Sequence, residues 1–247
     1  MNDKAIICEN LRKQFGDFIA VNDISFEVNA GEIYGFLGAN GAGKTTAMRM
    51  LCGLSYPSGG HATVAGHNVY KEQESIKKKI GYMSQKFSLY ENLTIRENIE
   101  FYGGIYGLSD KDLKQKGDEL INRLGLANEA RKLVGGLPLG WKQKLAFSVA
   151  IIHQPRIVFL DEPTGGVDPV TRRQFWDLIY DASAAGITVF VTTHYMDEAE
   201  YCNRISIMVD GRIEALDTPG NLKSQFSART MDEVFYALAR GAKRSAD

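Results

Sequence analysis

Eight consecutive residues, Gly38, Ala39, Asn40, Gly41, Ala42, Gly43, Lys44 and Thr45, fit the pattern G-x-x-x-x-G-K-[ST]. The pattern restricts the fold strongly because it has meaning only between a buried strand and a helix. Both are legible. Glu32 to Leu37 is a short apolar run, and beyond the loop Ala47, Met48, Met50 and Leu51 fall on a helical stretch. In such a loop successive backbone N–H groups point into one concavity, the helix N-terminus adds partial positive charge, and glycine lets the main chain approach an anion. The expected ligand is a nucleotide triphosphate, with Lys44 on the β- and γ-phosphates and the Thr45 hydroxyl on Mg²⁺.

Phosphoryl transfer needs a second Mg²⁺ contact and a group that positions water. Ile157 to Leu160 reads as a buried strand and ends in Asp161 and Glu162. Both carboxylates are expected at the sheet edge that carries the glycine loop, Asp161 in the Mg²⁺ shell and Glu162 polarising the attacking water. An acidic pair after a strand is elsewhere a helix cap or a solvated turn; here the glycine loop favours the catalytic reading. Gln85, after Ile80 to Met83, and His194, after Val189 to Thr193, also follow strands. Taken alone, either reads as a surface residue.

From Ala5 to Val28 apolar and polar residues mostly alternate, the pattern of an antiparallel sheet. His61 to Ala65 and Lys79 to Met83 read as strands separated by a charged helix. A helical insertion follows from Phe87 to His153, with Thr94 and Ser109 as N-caps. Strand and helix then alternate again through Ile157 to Leu160, a helix from about Pro169, Ile187 to Thr192, Ile205 to Val209 and Arg212 to Ala215. That rhythm predicts a parallel sheet with crossover helices.

The 247 residues carry a formal net charge of −1, with 44% hydrophobic and 24% charged residues. A near-neutral chain has no global attraction to nucleic acid. Three widely separated cysteines, Cys8, Cys52 and Cys202, suggest neither a disulfide framework nor a zinc site. Apolar runs such as Leu145 to Ile152 fall well short of the roughly 20 residues that span a bilayer, and the first residues do not read as a signal segment. The expectation is a cytoplasmic chain.

In this order the pieces resemble the nucleotide-binding subunit of ATP-binding-cassette (ABC) transporters, along nearly the whole chain. The resemblance implies an α/β P-loop NTPase fold: one ABC ATPase domain over 1–247, with a RecA-like core, an N-terminal antiparallel β lobe, an inserted helical signature lobe at about 87–153 and a helical tail at about 218–247. It implies ATP and Mg²⁺ as cofactors. It places Gly38 to Thr45 and Thr46 on the phosphates, Phe15 on the adenine, and Thr45, Gln85 and Asp161 around Mg²⁺. Glu162, His194 and Gln85 become the catalytic set, and Asp168 belongs to a loop at a dimer interface.

Such subunits pair, each ATP lying between the glycine loop of one and a signature loop of the other. The signature usually reads Leu-Ser-Gly-Gly-Gln. Here the aligned residues are Leu137, Pro138, Leu139, Gly140 and Trp141, followed by Lys142, Gln143, Lys144 and Leu145. Pro138 has neither a hydroxyl nor a backbone N–H, so one donor to the γ-phosphate across the interface is missing. A hydrogen bond to a charged group is worth about 1.5–3 kcal/mol, or roughly 10- to 150-fold in affinity or rate. Either a partner with a complete signature supplies one competent site, or this branch closes on Gly140 and the helix N-terminus.

Residues 85–94, 194–200 and Met231 to Phe235 are similar to those of exporters of drugs, lipids and polysaccharides. The implied partners are a second nucleotide-binding subunit, the same chain or a related one, and a transmembrane permease, which would hold this chain at the inner face of the cell membrane. Phe87, Leu89 and Tyr90 are expected either to receive the permease or to be core of the helical lobe. The rival class is a cassette acting in DNA repair, chromosome structure or translation. The absence of sustained heptads and of an evident basic stripe argues against it, and no nucleic-acid partner is expected. His61, His67 and His153 read as structural or solvated, and Lys77 to Lys79 as a solvated helix face.

Overall fold

The computed structural model describes residues 3–85 and 89–244. Phe87 and the expected starting boundary of the helical lobe lie outside them, as do the last three residues of the tail. In chain order the elements are β1 (Lys4–Phe15), β2 (Phe18–Asn29), β3 (Ile33–Gly38), α1 (Lys44–Leu51), β4 (Gly59–Val64), β5 (His67–Asn68), α2 (Gln73–Lys77), β6 (Ile80–Met83), α3 (Ile95–Ile105), α4 (Asp110–Arg123), α5 (Leu139–Ala150), β7 (Ile157–Asp161), α6 (Pro169–Ala184), β8 (Thr188–Thr193), β9 (Arg204–Val209), β10 (Arg212–Asp217), α7 (Pro219–Gln225) and α8 (Met231–Arg244).

Two sheets account for the two hydrophobic periods. β2, β1, β4 and β5 form an antiparallel sheet in that order, and β2 alternates buried with exposed residues along most of its length. β3, β7 and β8 are buried at every position, as strands covered on both faces must be. They belong to a six-stranded sheet ordered β10-β9-β3-β8-β7-β6. Its strands run parallel from β9 to β6, with β10 antiparallel at one edge.

One strand that the sequence reading left unplaced finds its sheet here, and another departs from that reading. β4 follows α1 but joins the N-terminal lobe, pairing Ile6 with Val64 across β1; its Ala62 and Val64 pack with Ile6, Val28 and Met48. β10 turns back antiparallel on β9 after the tight turn at Asp210 and Gly211, both in the left-handed region, which leaves no room for a crossover helix.

The helical insertion is built as expected. Thr94 and Glu97 form a reciprocal capping box on α3, and Ser109 caps α4. Ile95, Ile99, Leu120, Ile121 and Leu145 bury their side chains in one cluster with α6 and one face of the larger sheet. Leu89 is in that cluster at 6% exposure, so it is core rather than docking surface. Tyr90 is exposed, edge-on to Phe101 at 5.0 Å. The tail folds back: Met231 and Val234 of α8 pack in the cluster that holds Met196 and Ala199, just beyond β8.

Because β3, β6, β7 and β8 run in one direction, the segments that leave them emerge at one edge. This carboxyl edge is where open α/β sheets bind ligands. It carries the glycine loop, Gln85, the Asp161–Glu162 pair and His194 together.

Candidate functional site

The glycine loop is fixed by close approach as much as by freedom. Gly43 has φ +101°, and a Cβ there would come 2.3 Å from the Ala20 carbonyl oxygen, so no other residue fits. Gly43 is also the N-cap of α1 and supplies no side-chain hydrogen bond, which leaves the first helical amides free of intrahelical partners. Lys44 is 4% exposed. Its Nζ donates to the carbonyls of Gly38 at 2.8 Å and Ala39 at 3.0 Å, and lies 3.4 Å from Glu162 Oε1. Burial pulls its pKa below the ordinary lysine value, against the opposing charges of Glu162 and Asp161.

Asp161 closes β7 and is 1% exposed. Its Oδ1 accepts the Thr45 hydroxyl at 3.0 Å and the Thr192 hydroxyl at 2.7 Å. Burial pushes its carboxyl above the usual range, while Thr192, Thr45 and Lys44 work against that rise. The sheet register explains the contact with Thr192, which pairs directly with Asp161 between β7 and β8.

At Glu162 the chain leaves the strand in the left-handed region, φ +49°, a costly conformation for a residue with a Cβ. Two bonds hold it there: Glu162 N–H donates to the Thr192 carbonyl at 3.1 Å and hydroxyl at 3.0 Å. The turn aims the side chain into the site. Its Oε2 accepts Gln85 Nε2 at 2.9 Å and lies 3.1 Å from Nδ1 of His194. Gln85, Glu162 and His194, separated by more than 100 residues of sequence, therefore meet at one carboxylate oxygen.

Phe15, at the end of β1, is 54% exposed, with Lys13 Nζ 4.9 Å from its ring centre. The ring is exposed rather than buried, with the Lys13 ammonium over one face. Leu137, Pro138, Leu139 and Gly140 form the entry to α5. Pro138 is its N-cap without a side-chain bond, and its carbonyl accepts the amides of Trp141 at 3.0 Å and Lys142 at 3.1 Å. A Cβ at Gly140 would come 2.3 Å from Thr171 Cγ2. Asp168 caps α6, its Oδ1 accepting Val170 N–H and Thr171 N–H, each at 3.0 Å. Pro138 and Gly140 share a groove with Asp168, Thr171 and Gln174, so within one chain this loop lies beside the loop that carries Asp168 and does not cover the glycine loop.

Two polar residues were not singled out from the sequence. Thr192 grips both Asp161 and Glu162. Gln143, on α5, donates to the Gly165 carbonyl at 3.1 Å, linking the signature helix to the loop after Glu162. Thr192 had a signal, being at a strand end two residues before His194; Gln143 had none. Among the histidines, His67 faces Glu72 at 3.1 Å, and His153 stacks on Tyr106 at 3.8 Å.

Comparison with known proteins identifies the family. The family model described as ABC transporter matches residues 21–165, more than half of the 247. The chain is 44% identical over 241 residues to the probable multidrug ABC transporter ATP-binding protein YbhF of Escherichia coli, covering 96% of this chain but 42% of that protein. It is 36% identical over 227 residues to the linearmycin resistance ATP-binding protein LnrL of Bacillus subtilis, covering 92% and 73%. A solved ATP-binding subunit of an ABC transporter superposes with a TM-score of 0.85 at 26% identity, over 95% of this chain and 99% of that one. On the length and identity of these matches, the chain belongs to the ABC transporter family.

Proposed function

We propose that this chain binds ATP with Mg²⁺ at Gly38 to Thr46 and hydrolyses it, as one of two subunits whose closure drives a separate membrane permease in export. The observation that carries the reading is the meeting of Gln85, Glu162 and His194 at one oxygen, at the sheet edge where Lys44 and Thr45 open α1. The loop amides and Lys44 bind and orient the phosphates, and Phe15 offers an exposed ring to the base. Glu162 accepts a proton from water, while His194 and Gln85 hold that carboxylate in register.

The donor set suits Mg²⁺, a hard cation that takes oxygen ligands and keeps several waters. Thr45 Oγ1 and the Asp161 carboxylate would hold it, with the Gln85 amide oxygen as a third donor. Among the described residues no group of three or more His, Cys, Asp and Glu could cage a metal by itself; the nucleotide and water would supply the remaining ligands. Bound there, the ion neutralises phosphate charge.

One ABC ATPase domain over 1–247 fits the two sheets and the helical insertion. The partners are a second nucleotide-binding subunit, bringing its signature and Asp168 loops, and a transmembrane permease. Among the described residues no helix is long and apolar enough to cross a membrane; we assign crossing to the permease and this chain to the cytoplasmic face. The relatives' names, multidrug transport and linearmycin resistance, support export. Glu162→Gln separates binding from chemistry: nucleotide affinity within about threefold of wild type and turnover down about 100-fold or more. Unchanged turnover would sink the assignment.

A further inference from the structure

Glu198 is a fully buried acidic residue that no part of this mechanism uses. It is 0% exposed and lies in the 3₁₀ turn Met196–Tyr201 that follows His194. Its Oε1 accepts the hydroxyl of Thr164, itself 1% exposed, at 2.6 Å. Thr164 is two residues beyond Glu162, in a loop closed by Gly165 N–H on the Glu162 carbonyl at 3.2 Å. Arg172, one turn into α6 from Asp168, places Nε 3.7 Å from the same Oε1 and an Nη 3.3 Å from Asp197, and its guanidinium lies 4.2 Å from the Tyr195 ring centre. Glu198 Oε2 has no hydrogen-bond partner.

A buried carboxylate with an unpaired oxygen is a costly way to fill space. What this one accomplishes is a junction. It ties three segments that approach from different parts of the sheet edge: the loop after Glu162, the first turn of α6, and the turn after His194. His194 and Glu162 are 3.1 Å apart, yet the backbone between them is the whole length of α6 and β8. Besides Thr192, which anchors the Glu162 backbone from β8, the Thr164–Glu198 bond is a second tether downstream of both residues.

We propose that Glu198 is a positioning residue: its bond to Thr164 locks the spacing of Glu162 and His194, so that the two side chains reach the reacting water as a unit. The inference rests on the ATPase reading above. It requires the acceptor at Glu198 and the hydroxyl at Thr164, and nothing from nucleotide binding.

Turnover and ATP KM would be measured on full-length wild type, Thr164→Val, Thr164→Ser, Glu198→Ala, Glu198→Gln and the Thr164→Val/Glu198→Ala double variant, with thermal melts on each. Thr164→Val is expected to lower kcat about tenfold with KM within about twofold. Thr164→Ser and Glu198→Gln, which keep a donor and an acceptor, are expected to recover most of it, and the double variant to be no worse than the worse single. A loss confined to KM, strictly additive losses, or full kcat in a folded Thr164→Val would overturn the proposal. Thr164→Val also covers the case in which Glu198→Ala fails to fold. Hydrogen exchange of 163–167 and 194–198 gives a readout independent of turnover: both segments should exchange faster together in Thr164→Val, and unchanged exchange would overturn the inference. Wild type without ATPase activity would refute the ATPase reading, whereas Glu162-dependent hydrolysis indifferent to Thr164 would refute only this junction.

Discussion

The helices of this chain begin in two different ways. α3, α4, α6 and α7 start on Thr94, Ser109, Asp168 and Thr218, and each of those side chains accepts an amide of its own first turn. α1 and α5 start on Gly43 and Pro138, which offer no side-chain acceptor. The one-turn α2 also starts without a side-chain cap. The capped helices satisfy their own ends. The two uncapped ones stand at the glycine loop and at the loop we propose as the signature, and in that proposal their free amides receive phosphate oxygens from outside the helix. Yet the two are not equals. The α1 end carries a buried lysine beside its glycines, whereas the α5 end begins with a proline that removes both a hydroxyl and an N–H.

Removing the lysine should widen that contrast most. Lys44→Ala is expected to weaken ATP binding by about 2–3 kcal/mol, roughly 30- to 150-fold, as read by calorimetry. At the α5 end the expected change is in the opposite direction. Pro138→Ser should raise turnover of the isolated protein by up to about tenfold. Pro138→Ala, which restores the N–H alone, separates the two missing donors; no gain in either would show that the signature is not limiting.

Beyond the far end of α5 the stability of the fold depends on pH. Burial lowers His153 from an ordinary 6.5 to about 4, with its bond to the Ile80 carbonyl opposing and Lys116 adding to the shift. The unfolded chain therefore binds the proton first. The contribution is whole above pH 6.5 and is lost as pH falls to about 4, at most about 3 kcal/mol and less where solvent reaches the ring. Denaturant melts at pH 7 and pH 4.5 check this, and His153→Phe, which keeps a ring on Tyr106, should flatten the difference. The smallest effect belongs to a capped helix: Asp168→Ala should lower the Tm by about 2–4 °C, as read by a thermal melt.

What was legible in the sequence follows how locally each feature is determined. Gly38 to Thr45 declared itself because contiguous amides must cradle one anion. Asp161 and Glu162 followed from a continuous apolar strand ending in acid. Gln85 and His194 each look like ordinary surface residues until the order of motifs across the chain assigns them. β4 was read as a strand but not placed, because six residues of alternation do not say which sheet accepts them. Leu89 could not be separated from Tyr90, since adjacent apolar residues at a loop exit diverge only once α3 and α4 are packed. Thr192, Gln143 and Glu198 act through partners between 22 and 34 residues away; the strand end before His194 points to Thr192, but no local pattern marks Gln143 or Glu198.

The left-handed turn at Glu162 has a further consequence. At φ +49° glycine or asparagine would sit with less strain, so the local backbone preference and the proposed chemistry ask for different residues at one position. The chain keeps the carboxylate and pins the turn with two bonds to Thr192. Glu162→Gly would relieve that strain, yet it would leave the buried Lys44 ammonium, Gln85 and His194 without the carboxylate they share, so a substitution that suits the backbone here would dismantle the proposed site.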